Sequence, residues 1–271
     1  MRYGAMNFPV RPVLQEIEAI AALDMDYVEL AMDPPLAHHS QLQDQKGAIR
    51  KLLKASEMDL ICHLPTFVNT ADLTPGIRQA SLEEVLGALE VAADLGAQKA
   101  VLHPGYLSGL GAHVLDQVVT LAMASLAQIH DRSQVLGLPV CVENLFPRFS
   151  PFVTSSQFEP IFSAFPGFRL ALDVAHAHIG EKSSARCLTF ISRFTDRLVH
   201  LHVSDNLGQR DDHLALGSGT LPLQVIANAL KSNGYDGTCT LEIFVEDRRA
   251  LAKSRDRWIA MLAGRAGSQR T

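Results

Sequence analysis

Residues 80–103 read ASLEEVLGALEVAADLGAQKAVLH. Leu82, Val85, Leu86, Leu89, Val91 and Ala92 recur at helical spacing, which predicts a helix over Ala80–Leu95 with one apolar face. Gly96 follows where a helix needs a residue tolerant of the left-handed conformation to stop. Lys99–His103 is then a short apolar run that ends in a histidine. Helix, glycine stop, apolar strand and polar strand end form one unit, and the rest of the chain repeats it.

Further helical patterns run from about Ala112 to Leu136, ending at Gly137, and from about Leu221 to Ser232, stopped by Asn233-Gly234. The expected strands are Tyr3–Met6, Tyr27–Ala31, Asp59–His63, Lys99–His103, Pro139–Glu143, Phe168–Asp173, Leu198–His202 and Thr238–Ile243. Most are nearly continuous apolar runs, as parallel strands covered on both faces require. Strict alternation of strand and helix implies a parallel sheet. Eight such units in 271 residues fit a closed (β/α)8 TIM barrel, which needs about 250 residues. The reading is therefore α/β, one barrel domain over residues 1–271, with no Pro/Ser/Gly-rich or charged linker to divide it. A doubly wound open sheet is the other arrangement of such units, but no GxGxxG follows the first strand.

Hydrophobic residues make up 47% of the chain, enough for a large core, and the formal net charge is −5. No basic block stands out, so charge does not support a nucleic-acid partner, whose grip rests on clustered cations. The start of the chain carries no charged-then-apolar leader, and no apolar run approaches membrane-helix length. Cys62, Cys141, Cys187 and Cys239 form no CxxC, and three of them fall in strand-like runs. Reduced core thiols and a cytoplasmic location without membrane contact are expected.

The chemistry concentrates at strand ends. Strands three to eight end in His63, His103, Glu143, Asp173, His202 and Glu242. In a parallel barrel the C-terminal strand ends share one mouth, so three imidazoles and three carboxylates converge there. Unpaired carboxylates in one cup repel one another and resist ionisation. A bound divalent cation removes that repulsion, and all six residue types ligate such ions through N or O. His176 follows Asp173 by three residues, with His178 as the alternative at this point. After strand seven, Asp211-Asp212-His213 precedes a Leu-Gly-Ser-Gly turn able to fold back over the mouth.

These motifs (His103-Pro-Gly, Glu143-Asn144, Asp173-x-x-His176, His202, Asp211-x-His213 and Glu242) resemble the xylose isomerase-like barrel superfamily. The pattern is most similar to that of endonuclease IV within it. The resemblance spans His63 to Glu242 and implies that His63, His103, Glu143, Asp173, His176, His202, Asp211, His213 and Glu242 ligate up to three divalent ions, zinc or manganese. The subset Glu143, Asp173, His202 and Glu242 also resembles the one-metal site of ketose 3-epimerases. Two epimerase residues are absent: Gly208 stands where such enzymes carry Arg, and Phe149 where they carry a substrate-binding Glu.

Two reactions follow. In phosphoester hydrolysis, Glu143 and Glu242 bridge ions of a multinuclear centre, with His63 and His103 on an outer ion and Asp211 and His213 completing a third. In isomerisation or epimerisation of a sugar or sugar phosphate, one ion suffices and Glu143 and Glu242 form the acid/base pair. The fuller ligand set favours hydrolysis of a small phosphorylated substrate. Asn144 and Arg148 are candidate substrate contacts, Arg148 for phosphate, with orienting a metal ligand as the other role open to Asn144. Phe146, Phe149 and Phe152 stack on substrate or pack their own loop. Glu29 reads as a hydrogen-bonded barrel residue. His200, two before His202, supports the ligand shell; His38, His39, His113 and His130 read as surface residues. No Lys ends strand six, which argues against a Schiff-base aldolase.

Overall fold

The computed structural model describes residues 1–181 and 183–264; residue 182 and residues 265–271 of the expected domain lie outside the described part. Eight strands close into a barrel: β1 (Arg2–Met6), β2 (Tyr27–Ala31), β3 (Asp59–His63), β4 (Ala100–Leu102), β5 (Val140–Glu143), β6 (Arg169–Asp173), β7 (Leu198–Val203) and β8 (Thr238–Leu241). Every neighbouring pair is parallel, and β8 closes on β1 through Arg2–Thr238 to Ala5–Leu241.

The two-residue period of a strand sorts the side chains. Val28, Leu30, Leu60, Cys62, Ala100, Leu102, Val140, Val142, Leu170, Leu172, Leu201, Val203, Cys239 and Leu241 belong to the large core outside the strands, which the helices cover. Tyr27, Ile61, Val101, Cys141 and Ala171 form a separate buried layer, with Val199 packed against it. These are the residues two positions before Glu29, His63, His103, Glu143 and Asp173. An apolar plug thus fills the barrel and the polar strand-end residues sit directly above it, as layered barrel packing demands. Gly4 makes room in this interior, since a Cβ there would lie 2.3 Å from the Tyr27 ring. A register shift between Leu170 and Ala171 sets Ala171 opposite His200 and Asp173 opposite His202.

Elements differ from expectation mainly at their ends. β4 and β8 stop before His103 and Glu242. Pro104 cannot donate to a ladder and pushes His103 out of register with it. The helix expected at Ala80 begins at Pro75, a residue suited to a first helical turn, and ends as expected at Gly96 with φ 86°. The helix after β4 spans Leu115–Leu136, preceded by a 3-10 turn at Gly111–His113, and the last predicted one spans Leu223–Ser232. All four cysteines are buried free thiols. Among the described residues, no helix is long and apolar enough to cross a membrane.

Candidate metal centre

All nine side chains predicted to converge do so. Glu143, on the last residue of β5, is the hub. Its Oε2 lies 3.2 Å from His63 Nε2 and 3.1 Å from His103 Nε2, while its Oε1 lies 3.2 Å from His202 Nδ1 and 3.2 Å from His176 Nδ1. Glu242 Oε2 is 3.1 Å from the same His202 Nδ1. Glu143, Asp173, His202 and Glu242 each offer a ligand atom within 4.8 Å of the others. Beyond them, Asp211 Oδ2 lies 3.1 Å from His176 Nε2 and 3.0 Å from His213 Nε2. His63, Glu143 and His202 form a second such group, while His103 joins through Glu143 Oε2 and His176 and His213 approach each other only through Asp211 Oδ2.

Each imidazole is held by its other nitrogen. His63 Nδ1 donates to the Leu64 carbonyl at 2.9 Å, His176 Nδ1 to the Asn144 carbonyl at 2.9 Å and His213 Nδ1 to the Glu242 carbonyl at 3.1 Å. His103 Nδ1 donates to the Tyr106 hydroxyl, which itself donates to the Thr66 carbonyl. His202 Nε2 donates to Glu29 Oε1 at 3.0 Å. Once the imidazoles are neutral, these outward donations leave the inward nitrogen of each ring, Nε2 except in His202, unprotonated and facing a carboxylate oxygen of the cup. Outer-shell acceptors of this kind fix the tautomer of a metal-ligating histidine. The N–O separations are close to the edge of a zinc tetrahedron, about 3.4 Å for bonds of about 2.1 Å.

The electrostatics of the cup call for cations. Asp173 Oδ2, Asp211 Oδ1 and Glu242 Oε2 are buried without a hydrogen-bond partner among the described residues. Such acceptors are costly unless something positive meets them. Burial, reinforced by Glu143, Glu242 and Asp211 and only partly offset by His176, pushes the Asp173 carboxyl up to about 7. Burial also pushes Glu143 up, but His202 and His103 outweigh it and hold Glu143 well below the usual carboxylate range. Burial lowers His63, yet its hydrogen bond to Glu143 leaves it raised to about 9. With its imidazoles neutral, the cup would gather the carboxylates Glu143, Asp173, Asp211 and Glu242, whose mutual repulsion bound divalent cations would offset. The donor set fits divalent metals of the zinc or manganese type.

Local structure explains the placement. The Asp211–Gly219 segment folds back over the mouth, as its turn chemistry predicted. Asp205 pairs with Leu214 through two backbone hydrogen bonds, and its carboxylate accepts from the N–H groups of Gly217 and Leu221. Gly219 is required here: a Cβ would lie 2.3 Å from the Asn206 carbonyl. His213 itself takes a left-handed φ of 48°, a costly conformation for histidine that aims its ring into the cup.

The Asn144 amide nitrogen donates to the Asp173 carbonyl and its oxygen accepts from the Asp173 N–H, both at 2.9 Å, which suits orienting a ligand strand more than meeting substrate. Adjacent residues of a strand face opposite ways, so Asn144 clamps β5 to β6 while Glu143 faces the cup. Phe146 and Phe149 stack on each other at 4.8 Å and brace His176 and Tyr106, while Phe152 is buried, so this loop packs on itself. Arg148 stands exposed at a left-handed φ of 70°, without an ion pair among the described residues. Tyr106 was missed; a hydroxyl-bearing aromatic three residues after a strand-end histidine was the available signal. His38 and His39 are half-buried against Glu84 rather than plain surface residues.

A family model described as xylose isomerase-like TIM barrel matches residues 17–262. The chain belongs to that family. Xylose isomerase-like relatives include the fructoselysine 3-epimerase of Escherichia coli O157:H7, 24% identical over 69% of this chain and 68% of that protein. The probable endonuclease 4 of Mycobacterium leprae is also 24% identical, over 69% of this chain and 75% of its own. Among solved structures, a D-tagatose 3-epimerase-like protein superposes with a TM-score of 0.85 at 21% identity, covering 98% of this chain and 100% of that one. This likeness establishes the shared xylose isomerase-like barrel; the named relatives are enzymes of two different reactions.

Proposed function

We propose that this chain is a metal-dependent phosphoesterase that works with two to three divalent ions, zinc or manganese, on a small phosphorylated substrate. The observation that carries the reading is Asp211. Its Oδ2 lies 3.1 Å from His176 Nε2 and 3.0 Å from His213 Nε2, so it adds two imidazoles and a carboxylate beside the four-ligand group, which a one-ion epimerase does not need. Glu143 points the same way: both of its oxygens face imidazole nitrogens, the disposition of a bridging carboxylate rather than of a free base.

In this reading His63, His103 and Glu143 would hold one ion, Glu143, Asp173, His202 and Glu242 a second, and His176, Asp211 and His213 would complete a third. Bound there, the ions supply Lewis acidity for a phosphoryl oxygen, water activation at neutral pH and charge for the leaving oxygen. Glu143 fixes the spacing of two groups through its two oxygens. Glu242 Oε2, 3.1 Å from His202 Nδ1, is the carboxylate oxygen that would accept a proton from an attacking water. Arg148, free of ion pairs among the described residues, meets the phosphate from the rim. The net charge of −5 speaks for a small substrate over nucleic acid.

A second reading, sugar or sugar-phosphate epimerisation with Glu143 and Glu242 as acid/base pair, is favoured by one observation. Glu143, Asp173, His202 and Glu242 form a self-sufficient four-ligand group. The position where ketose epimerases carry Arg is Gly208, at φ 78°, where a Cβ would sit 3.4 Å from His178 Nε2. The test is a substrate panel on metal-loaded protein: a chromogenic phosphodiester, phosphomonoesters and an abasic-site oligonucleotide beside ketoses and sugar phosphates. Hydrolysis without epimerisation is expected. Epimerised sugar with no hydrolysis would replace the first reading by the second.

A further inference from the structure

A second cluster of ligand-type side chains lies outside the barrel mouth. His38 and His39 sit at the start of the helix His39–Asp44, and Glu84 lies on the helix Pro75–Leu95. His38 Nε2 is 2.9 Å and His39 Nε2 3.0 Å from the same oxygen, Glu84 Oε2. One ligand atom from each residue falls within 4.8 Å of the other two. The side chains are 31%, 20% and 44% exposed, so solvent reaches them and a water can complete a coordination shell.

The neighbourhood is shaped around these rings. Gly87 follows Glu84 by three residues, on the same helix face. A Cβ at Gly87 would lie 3.0 Å from His39 Cε1, so the missing side chain is what admits the imidazole. A glycine inside a helix costs about 1 kcal/mol relative to alanine, and here the gap is filled by a ligand-type ring. His38 Nδ1 accepts the Ser40 N–H at 3.3 Å and lies 2.9 Å from Ser40 Oγ; with an ion on Nε2 the proton would move to Nδ1 and be donated to that hydroxyl. Two imidazoles and one carboxylate are a zinc-type ligand set with an open position.

We propose that His38, His39 and Glu84 form a separate site for one divalent transition-metal ion of the zinc type. The ion would take the place of the two protons now shared with Glu84 Oε2. It would clamp the segment after β2 to the helix Pro75–Leu95, and so steady the rim, where Asp33 of that segment accepts the Thr66 N–H at 2.8 Å. This inference does not rest on the hydrolase reading, because none of the three residues belongs to the cup.

The test is equilibrium dialysis of the full chain against zinc, followed by elemental analysis. It compares the wild type with the His38→Ala, His39→Ala double variant and with Glu84→Gln, which keeps a neutral hydrogen-bonding group. Circular dichroism checks that each variant is folded. Both variants should bind about one ion fewer per chain than the wild type, whatever the cup itself binds. Equal counts in all three proteins would overturn the site. A loss in the histidine variant alone would overturn the three-ligand assignment. If the double variant fails to fold, Glu84→Gln decides: an unchanged count overturns the proposal.

Discussion

Glu29 Oε1 lies 3.0 Å from His202 Nε2, at the floor of the cup and sealed from solvent. The same carboxylate accepts from His200 Nε2 at 3.0 Å and from the Thr240 hydroxyl. This arrangement turns His202 Nδ1 toward Glu143 and Glu242. Loss of such an outer-shell partner typically costs about 10–100-fold in metal affinity. Glu29→Gln should therefore weaken zinc retention by that order while the barrel stays folded, as chelator competition would measure. Unchanged retention would show that His202 needs no acceptor behind it.

Glu143→Ala and Asp173→Ala should each abolish activity and leave a folded barrel, because the C-terminal strand ends serve chemistry and not stability. In metal-free protein burial, reinforced by the like charges of Glu143, Glu242 and Asp211, raises the Asp173 carboxyl above its ordinary range. Its removal relieves repulsion, so thermal melts of metal-free Asp173→Ala should match or exceed those of the wild type. Unfolded variants by circular dichroism would make these carboxylates structural.

Metal-free protein should lose stability between pH 7 and 9. His63 is raised to about 9 by its hydrogen bond to Glu143 against the pull of burial, and His213 to about 9 by Glu242 and Asp211 against the same pull. His176 and His202 are raised as well. A group with a raised folded pKa contributes stability that is fully present below its unfolded value, near 6.5 for histidine, and is lost as pH rises through the folded value. Burial lowers His103 and His200, which titrate below this window and do not oppose the trend. Ion binding needs the same imidazoles deprotonated. Melting temperatures should fall from pH 7 to 9 without metal and recover on adding zinc; a flat metal-free profile would contradict the assignment.

Gly4→Ala should destabilise the barrel by about 1–3 kcal/mol, the usual range for overpacking a filled core. The new methyl would meet the Tyr27 ring, whose hydroxyl pairs with Thr240 beneath Glu29. Denaturant titration measures the change; a neutral substitution would mean that the interior layer has slack.

The fold was legible because each unit repeats its signals: an apolar strand, a polar strand end, a helix and a glycine stop. The cup was legible because strand ends in a parallel barrel share one place, so His103 and Glu242 reach it although they lie just past their ladders. Of the two roles open to Asn144, orienting a ligand or meeting substrate, the two-residue period that turns it away from Glu143 favours the first. Tyr106 and the Asp205 scaffold under the Asp211–Gly219 segment lay hidden because both act through tertiary hydrogen bonds, which no local pattern announces. The pairing of His38 and His39 with Glu84 joins residues about 45 positions apart for the same reason.

The central claim is a multinuclear centre completed by Asp211 and His213, and metal content read against reaction tests it most directly. Elemental analysis of wild type purified without chelator, repeated for the Asp211→Ala, His213→Ala double variant, gives the ion count; the chromogenic phosphodiester and the ketose panel give the chemistry. The account predicts about two to three ions in the wild type, about one fewer in the variant, and phosphodiester hydrolysis that collapses with that ion. An unchanged count, with epimerised sugar from both proteins and hydrolysis by neither, would contradict it and leave the Asp211–His213 segment as a lid on a one-ion epimerase.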